Sequence, residues 1–211
     1  MIGSKTCCVM LVLTCLLFLA GCSSTKIVTS WRDDSYRSGT FKKPLVLAIA
    51  TKQVVRAKLE DELVRELRAL GVDAMQSYRI FPEQEGLSAD TIKAKLPGTD
   101  RDSILVTHLV DVKKETVYVP ARTDVYPTGE TMPLYYDRFG TYYAQSHSVV
   151  SSPGYSYEAK TYMVETNLYN AGNEKLVWTL VTATEEPGSF DAAVKDFVGT
   201  VIRGLEKNKV F

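Results

Sequence analysis

From residue 44 onward the apolar positions fall into runs with two different periods. Pro44-Leu45-Val46-Leu47-Ala48-Ile49-Ala50 is continuous and apolar between Lys42-Lys43 and Thr51-Lys52, the pattern of a strand buried on both faces and central in a sheet. Over residues 54–70 the period changes. Val55, Leu59, Leu63, Leu67 and Leu70 recur at three to four residues, which predicts a helix whose wet face pairs Asp61 with Arg65. Gly71 then supplies a left-handed cap. A short strand over 72–78 completes a β-α-β unit, whose short connections imply a right-handed parallel crossover. Residues 82–86 read as a loop, and Ser88 as the N-cap of a second helix running to about Leu96, closed by Pro97-Gly98.

Residues 104–119 alternate, with Ile104, Val106, His108, Val110 and Val112 on one face and Leu105, Thr107, Leu109, Asp111 and Lys113 on the other. Alternation returns over 159–169 and again over 175–184. The intervening Asn170-Ala171-Gly172-Asn173 is expected to supply the positive φ of a tight hairpin. After Pro187-Gly188, Ser189 caps a last helix with Ala193, Val194, Phe197, Val201 and Leu205 as its apolar stripe, and Asp191 in its first turn suits the helix dipole. The order β-α-β-α-β-β-β-α predicts a mixed α+β fold, a single mixed sheet packed with helices. A long hairpin carries an insertion at 120–154, and 44–211 form one globular domain.

Residues 7–20 form a different run, apolar save for Thr14, preceded by the lone charge Lys5 and followed by Ser23-Ser24-Thr25-Lys26. A membrane-crossing helix needs about 20 apolar residues to span roughly 30 Å of hydrocarbon. This run is too short, and has the length of a signal-peptide core. It ends in Leu19-Ala20-Gly21-Cys22, which resembles the lipobox of bacterial lipoproteins. That resemblance implies removal of residues 1–21, cleavage between Gly21 and Cys22, and acylation of the Cys22 thiol and then of its freed amine. Gram-negative lipoproteins retained in the inner membrane tend to carry Asp directly after the cysteine. Ser23 stands here, so the resemblance implies the periplasmic face of the outer membrane. Two or more acyl chains, at about 0.8 kcal/mol per buried CH₂, anchor stably without a charged patch. Residues 22–43 read as a lipidated tether that also docks, because Ile27-Val28-Thr29-Ser30-Trp31 is β-prone and Trp31 is costly to leave in water.

Composition narrows the chemistry. The four cysteines stand at 7, 8, 15 and 22. The segment after Cys22 therefore has no thiol, which excludes disulfides, zinc-thiolate sites and cysteine nucleophiles there. Removing Lys5 from 25 basic and 25 acidic residues leaves one net negative charge, so no nucleic-acid partner is expected. His108 reads as a partly buried strand histidine. His147 lies among tyrosines, and neither sits at metal-ligand spacing. No phosphate cradle, nucleophile elbow or H-E-x-x-H motif occurs. Glu60, Asp61, Glu62 and Glu66 read as a solvated helix exterior, and Glu185-Glu186 as the approach to a turn. The expectation is a protein that is not an enzyme, with no metal and no cofactor beyond its acyl lipid.

Eight of the twelve tyrosines fall between 118 and 157, among Pro, Gly, Ser and Thr. An insertion of this length is usually functional or disordered, and tyrosine gives rigid amphipathic contact area at low entropic cost. Tyr126, Tyr135, Tyr136, Tyr142 and Tyr143 are the candidate binding residues. Two readings stay open: contact with an envelope protein partner, or rings folded onto the protein's own sheet. A rival from another class is a small-ligand or glycan binder associated with a transporter. No oligomeric state is read from the pattern.

The motif Leu168-Tyr169-Asn170-Ala171-Gly172-Asn173-Glu174-Lys175-Leu176-Val177-Trp178 and the opening Thr29-Ser30-Trp31-Arg32-Asp33-Asp34-Ser35-Tyr36 resemble a group of uncharacterised bacterial lipoproteins with a domain of unknown function. The element order is similar to that of the N-terminal domain of TolB and of lipoproteins that activate peptidoglycan synthases. These residues build turns, strands and core contacts, so the resemblance bears on fold and implies no active site.

Overall fold

The computed structural model describes residues 24–37, 39–82, 88–127 and 147–211, with side chains described except at 127 and 147–149. In chain order they form β1 (Thr25–Arg32), β2 (Pro44–Ile49), α1 (Gln53–Ala69), β3 (Met75–Gln76), α2 (Ala89–Lys95), β4 (Ser103–Val119), β5 (Arg122–Pro127), β6 (His147–Ser152), β7 (Tyr155–Asn170), β8 (Leu176–Glu185) and α3 (Phe190–Lys207). The chain divides into two compact units: a main unit of the residues up to Val112 with Thr161–Phe211, and a second of Lys113–Lys160. β4 and β7 contribute residues to both.

The main unit holds a six-stranded mixed sheet in the order β1-β8-β7-β4-β2-β3. β2 is parallel to β3 and to β4, Leu45 pairing with both Met75 and Ile104, while β8 runs antiparallel to β7 and β1. This is the mixed α+β architecture the periodicities predict. Neighbours on β2 face opposite ways, and both sides are covered. Val46 lies in the main core with Leu63 and Leu67 of α1, Phe197 and Leu205 of α3, and Leu105, Trp178 and Leu180 of the sheet. Leu45 packs with Phe81 and Leu96, against Ile92 of α2.

The helix ends follow from their residue types. Gly71 takes φ 81°, so that Val72 N donates to Leu67 O (3.1 Å) and Gly71 N to Arg68 O (2.9 Å), both bonds of a Schellman cap. Ser88 accepts from Thr91 N at 3.2 Å and Ser189 from Ala192 N at 3.1 Å. Ser189→Ala is therefore expected to cost about 1 kcal/mol, readable as a small fall in melting temperature that Ser189→Asp does not reproduce.

Four expectations give way. The strand over 72–78 shrinks to Met75–Gln76, because Ser77–Arg79 coil into a 3₁₀ turn that carries Ser77 and the Tyr78 amide onto Glu60. In the β7–β8 turn the positive φ falls on Glu174 (59°) rather than on Asn or Gly. The asparagines act through their side chains instead, Asn170 accepting from Gly172 N (2.8 Å) and Asn173 from Lys175 N (3.1 Å). Within the segment expected to dock, Thr25–Arg32 form an edge strand on β8, but Trp31, expected to be buried, stays 49% exposed. It pairs with Thr179, whereas its neighbour Arg32 pairs with the core residue Trp178. Finally, the aperiodic stretch 120–154 contains β5 and β6, an antiparallel pair from Arg122↔Ser152 to Pro127↔His147.

None of the described residues of the second unit is fully buried. The junction of β6 and β7 passes close to that of β4 and β5 at Gly154, where an added Cβ would lie 2.8 Å from Tyr118 Oη, 2.9 Å from Ala121 N and 3.0 Å from Val119 O. Two of those atoms are backbone and cannot swing aside. Gly154→Val is expected to speed amide hydrogen exchange over residues 118–127 while leaving the main core's protection unchanged.

Candidate functional site

The second unit presents an apolar and aromatic surface on a strand framework. Tyr126 is 54% exposed on β5, and Tyr118 on β4 and Tyr155 and Tyr157 on β7 are exposed as well, with Val125 and Val150 on β5 and β6. Tyr126 pairs with Ser148 and its neighbour Asp124 with Val150, so Tyr126 and Val150 share one face of the ribbon and Val125 lies on the other. Tyr155 and Tyr157 bring their rings to 6.4 Å. Polar contacts here are local: Arg122 Nε donates to Asp124 Oδ1 at 2.7 Å, and Lys114 and Lys160 lie 3.5 and 3.7 Å from Glu158. An isolated two-stranded ribbon is marginally stable in water, and exposed tyrosine and valine on it favour contact with another surface. Tyr135, Tyr136, Tyr142 and Tyr143, like Gly21 and Cys22, lie outside the described residues.

The main unit holds a polar cluster that the sequence pattern concealed. Arg56 and Glu60, one turn apart on α1, are fully buried. Glu60 Oε1 accepts from Arg56 Nε (3.0 Å), Ser77 Oγ (2.7 Å) and Ala48 N (3.1 Å), and Oε2 accepts from Tyr78 N (3.0 Å). Arg56 Nη2 reaches Ser77 Oγ at 2.8 Å. One carboxylate thus ties α1 to β2 and to the turn after β3. The neighbouring Asp61, expected to pair with Arg65, instead accepts from Gln76 Nε2 (2.9 Å) and from the Tyr78 hydroxyl (2.6 Å). Donation to Asp61, aided by desolvation, raises the Tyr78 pKa. Arg65 pairs with Glu62 and Glu66. Glu60 therefore departs from the solvated helix exterior expected of it, since α1 buries residues 56, 60, 63, 64 and 67 rather than the 55, 59, 63, 67, 70 stripe. The signal was present in the spacing: 56, 60, 63 and 67 follow the same helical period, with a complementary charge pair at two positions.

His108 is partly buried on β4, with Nε2 4.0 Å from Glu165 Oε2, and Asn167 Nδ2 donates to Glu165 Oε1 at 3.2 Å. Among the described residues no three His, Cys, Asp or Glu side chains are placed to share a metal ion. A groove of about 290 Å³ between α1 and α3 is lined by Glu62, Arg65, Glu66, Lys195, Asp196 and Arg203 with Val198 and Gly199. Its walls are charged, unlike the mostly apolar lining of typical small-molecule pockets. His147 lies in β6, and its side chain lies outside the described residues. Among the described residues no helix is long and apolar enough to cross a membrane.

A mixed α+β body with an exposed aromatic ribbon is the class these features define. No protein-family model matches the chain, and no curated protein does. Among solved structures it is similar to the PelC dodecamer from Paraburkholderia phytofirmans (11% identity, TM-score 0.44, covering 86% of this chain and 96% of that one). It is also similar to the lipoprotein GNA1162 from Neisseria meningitidis (12%, 0.40, 78% and 98%) and to a PDZ domain protein from Parabacteroides distasonis (10%, 0.38, 86% and 36%). At these TM-scores the likenesses carry no argument about activity or partners. A bacterial lipoprotein is among them; the TolB likeness stays one of element order.

Proposed function

We propose that this chain is a lipid-anchored component of the bacterial cell envelope, acylated at Cys22 on the periplasmic face of the outer membrane, that acts through protein contacts made by its tyrosine-rich unit. The observation that carries the contact role is the second unit itself: strands without a buried core among the described residues, bearing Tyr118, Tyr126, Tyr155 and Tyr157 in water. The anchor rests on Leu19-Ala20-Gly21-Cys22, and the outer-membrane assignment on Ser23.

Photo-crosslinking in living cells tests the contact. A benzophenone amino acid at position 126 is expected to trap a discrete envelope protein that the same group at Lys175, exposed on the main unit, does not trap. Equal adducts at both positions, or none at 126, would remove the ribbon from the function. Ser23→Asp is expected to shift most of the protein from outer- to inner-membrane fractions on a sucrose gradient.

A further inference from the structure

Ser24 belongs to the folded body. Its amide and hydroxyl both donate to Asp196 Oδ2 of α3, at 2.9 and 3.0 Å, its carbonyl accepts from Glu185 N at 3.1 Å, and the next residue, Thr25, begins the register with β8 and shares a hydroxyl hydrogen bond with Thr184 at 2.9 Å. Only Ser23 separates this fixed point from Cys22. Two Cα–Cα steps of about 3.8 Å place the acylated residue within roughly 8 Å of Ser24. The headgroup layer is itself about 5–7 Å deep on each side. A lipid attached at Cys22 therefore has no slack.

The direction is also set. α3 lies alongside β1, since Asp196 meets Ser24 while Arg32 Nη1 donates to Asn208 O at 2.8 Å. Phe190, six residues before Asp196, therefore overshoots Ser24 by about 9 Å at 1.5 Å per residue, on the side of Ser24 away from β1. There it stands 49% exposed at the first position of the helix.

We infer that the end of the main unit formed by Ser24, the β8–α3 turn and the start of α3 is held flat against the bilayer, with the Phe190 ring at the headgroup level. This rests on acylation of Cys22. A phenylalanine ring at that depth buries its apolar surface at the headgroup and acyl boundary, as the Phe of interfacial amphipathic helices does. Around it Lys26 pairs with Glu185 (3.1 Å) and Lys58 with Asp191 (3.2 Å), and exposed Glu186 adds an acidic group in the turn, so these charges form no basic patch. The contact is thus one of leash length and apolar burial, indifferent to anionic lipid.

The test uses the native acylated protein, its lipid confirmed by intact-mass measurement. Once Cys22 is acylated the mature chain has no other thiol, so Phe190→Cys and, at the far end of the sheet, Lys175→Cys each take a single spin label. In vesicles of phosphatidylethanolamine with phosphatidylglycerol, the label at 190 is expected to be at least threefold less accessible to a water-soluble nickel chelate than the label at 175. The same ratio is expected when phosphatidylglycerol is replaced by phosphatidylcholine. Ten Gly/Ser residues inserted between Ser23 and Ser24 should bring the two labels level. Equal accessibility in the acylated protein, protection that survives the insertion, or protection that requires the anionic lipid would each overturn the apposition while leaving the anchor intact. A mature chain unacylated at Cys22 would overturn the anchor itself, and the apposition with it.

Discussion

Glu60→Ala is expected to lower the melting temperature of the main unit by roughly 6–20 °C. Removing one partner of a buried ion pair costs about 3–5 kcal/mol, and each kcal/mol moves a domain of this size by about 2–4 °C. The carboxylate does more than balance Arg56. It accepts the amides of Ala48 and Tyr78 and the Ser77 hydroxyl, so its loss leaves a buried guanidinium and two backbone donors without their acceptor. For the same reason, replacing Arg56 and Glu60 together by Met and Leu should remain destabilising, whereas a simple buried pair often tolerates such a swap. Arg65→Ala, which breaks only exposed pairs with Glu62 and Glu66, should stay within about 0.5 kcal/mol. Thermal melts of the three variants decide the matter. A Glu60→Ala protein that melts with the Arg65→Ala protein would mean the cluster does not hold α1.

Trp178→Ala is the second large effect, about 3–5 kcal/mol. Trp178 is fully buried on β8 and is the largest such side chain in the described core. Its ring packs against α3 at Gly204, where an added Cβ would lie 3.3 Å from Trp178 Cζ2 and 3.2 Å from Leu180 Cδ2. That closeness leaves the backbone little room to collapse into the vacated space, which places the cost toward the upper end. Trp178→Phe should cost much less, since the indole N–H has no hydrogen-bond partner among the described residues and its removal takes away a buried donor along with some volume. Denaturant unfolding of both variants separates packing from polarity. Equal losses would show that the N–H is satisfied in solution.

How legible this was depended on what each residue's neighbours also encoded. The parallel β2–α1–β3 succession, the Gly71 cap and the Ser88 and Ser189 caps were readable because a period and a terminal signal agreed at each. The α1 face was not. Val55 and Leu59 made an apolar stripe one residue out of phase with the buried one, and Arg56 and Glu60 look like surface charges until Ser77 and two amides are brought to them by tertiary structure. β5 and β6 escaped for a physical reason too. Their described side chains are exposed on both faces, save half-buried Asp124, so no alternation marks an inside and an outside. Of the candidate tyrosines, the structure describes Tyr126, on an exposed strand.

The pinning of Ser24 has a mechanical side. Under the proposed anchor at Cys22, tension on the lipid would pull on the start of a strand whose backbone bonds to β8 lie across the strand axis. A pull along that axis loads the paired residues from Thr25 to Arg32 together, with the Asp196 contact at the point of application. Such a joint yields by shearing as a whole rather than by unzipping residue by residue, which would suit a body fastened, as proposed, to a moving, fluctuating sheet of lipid.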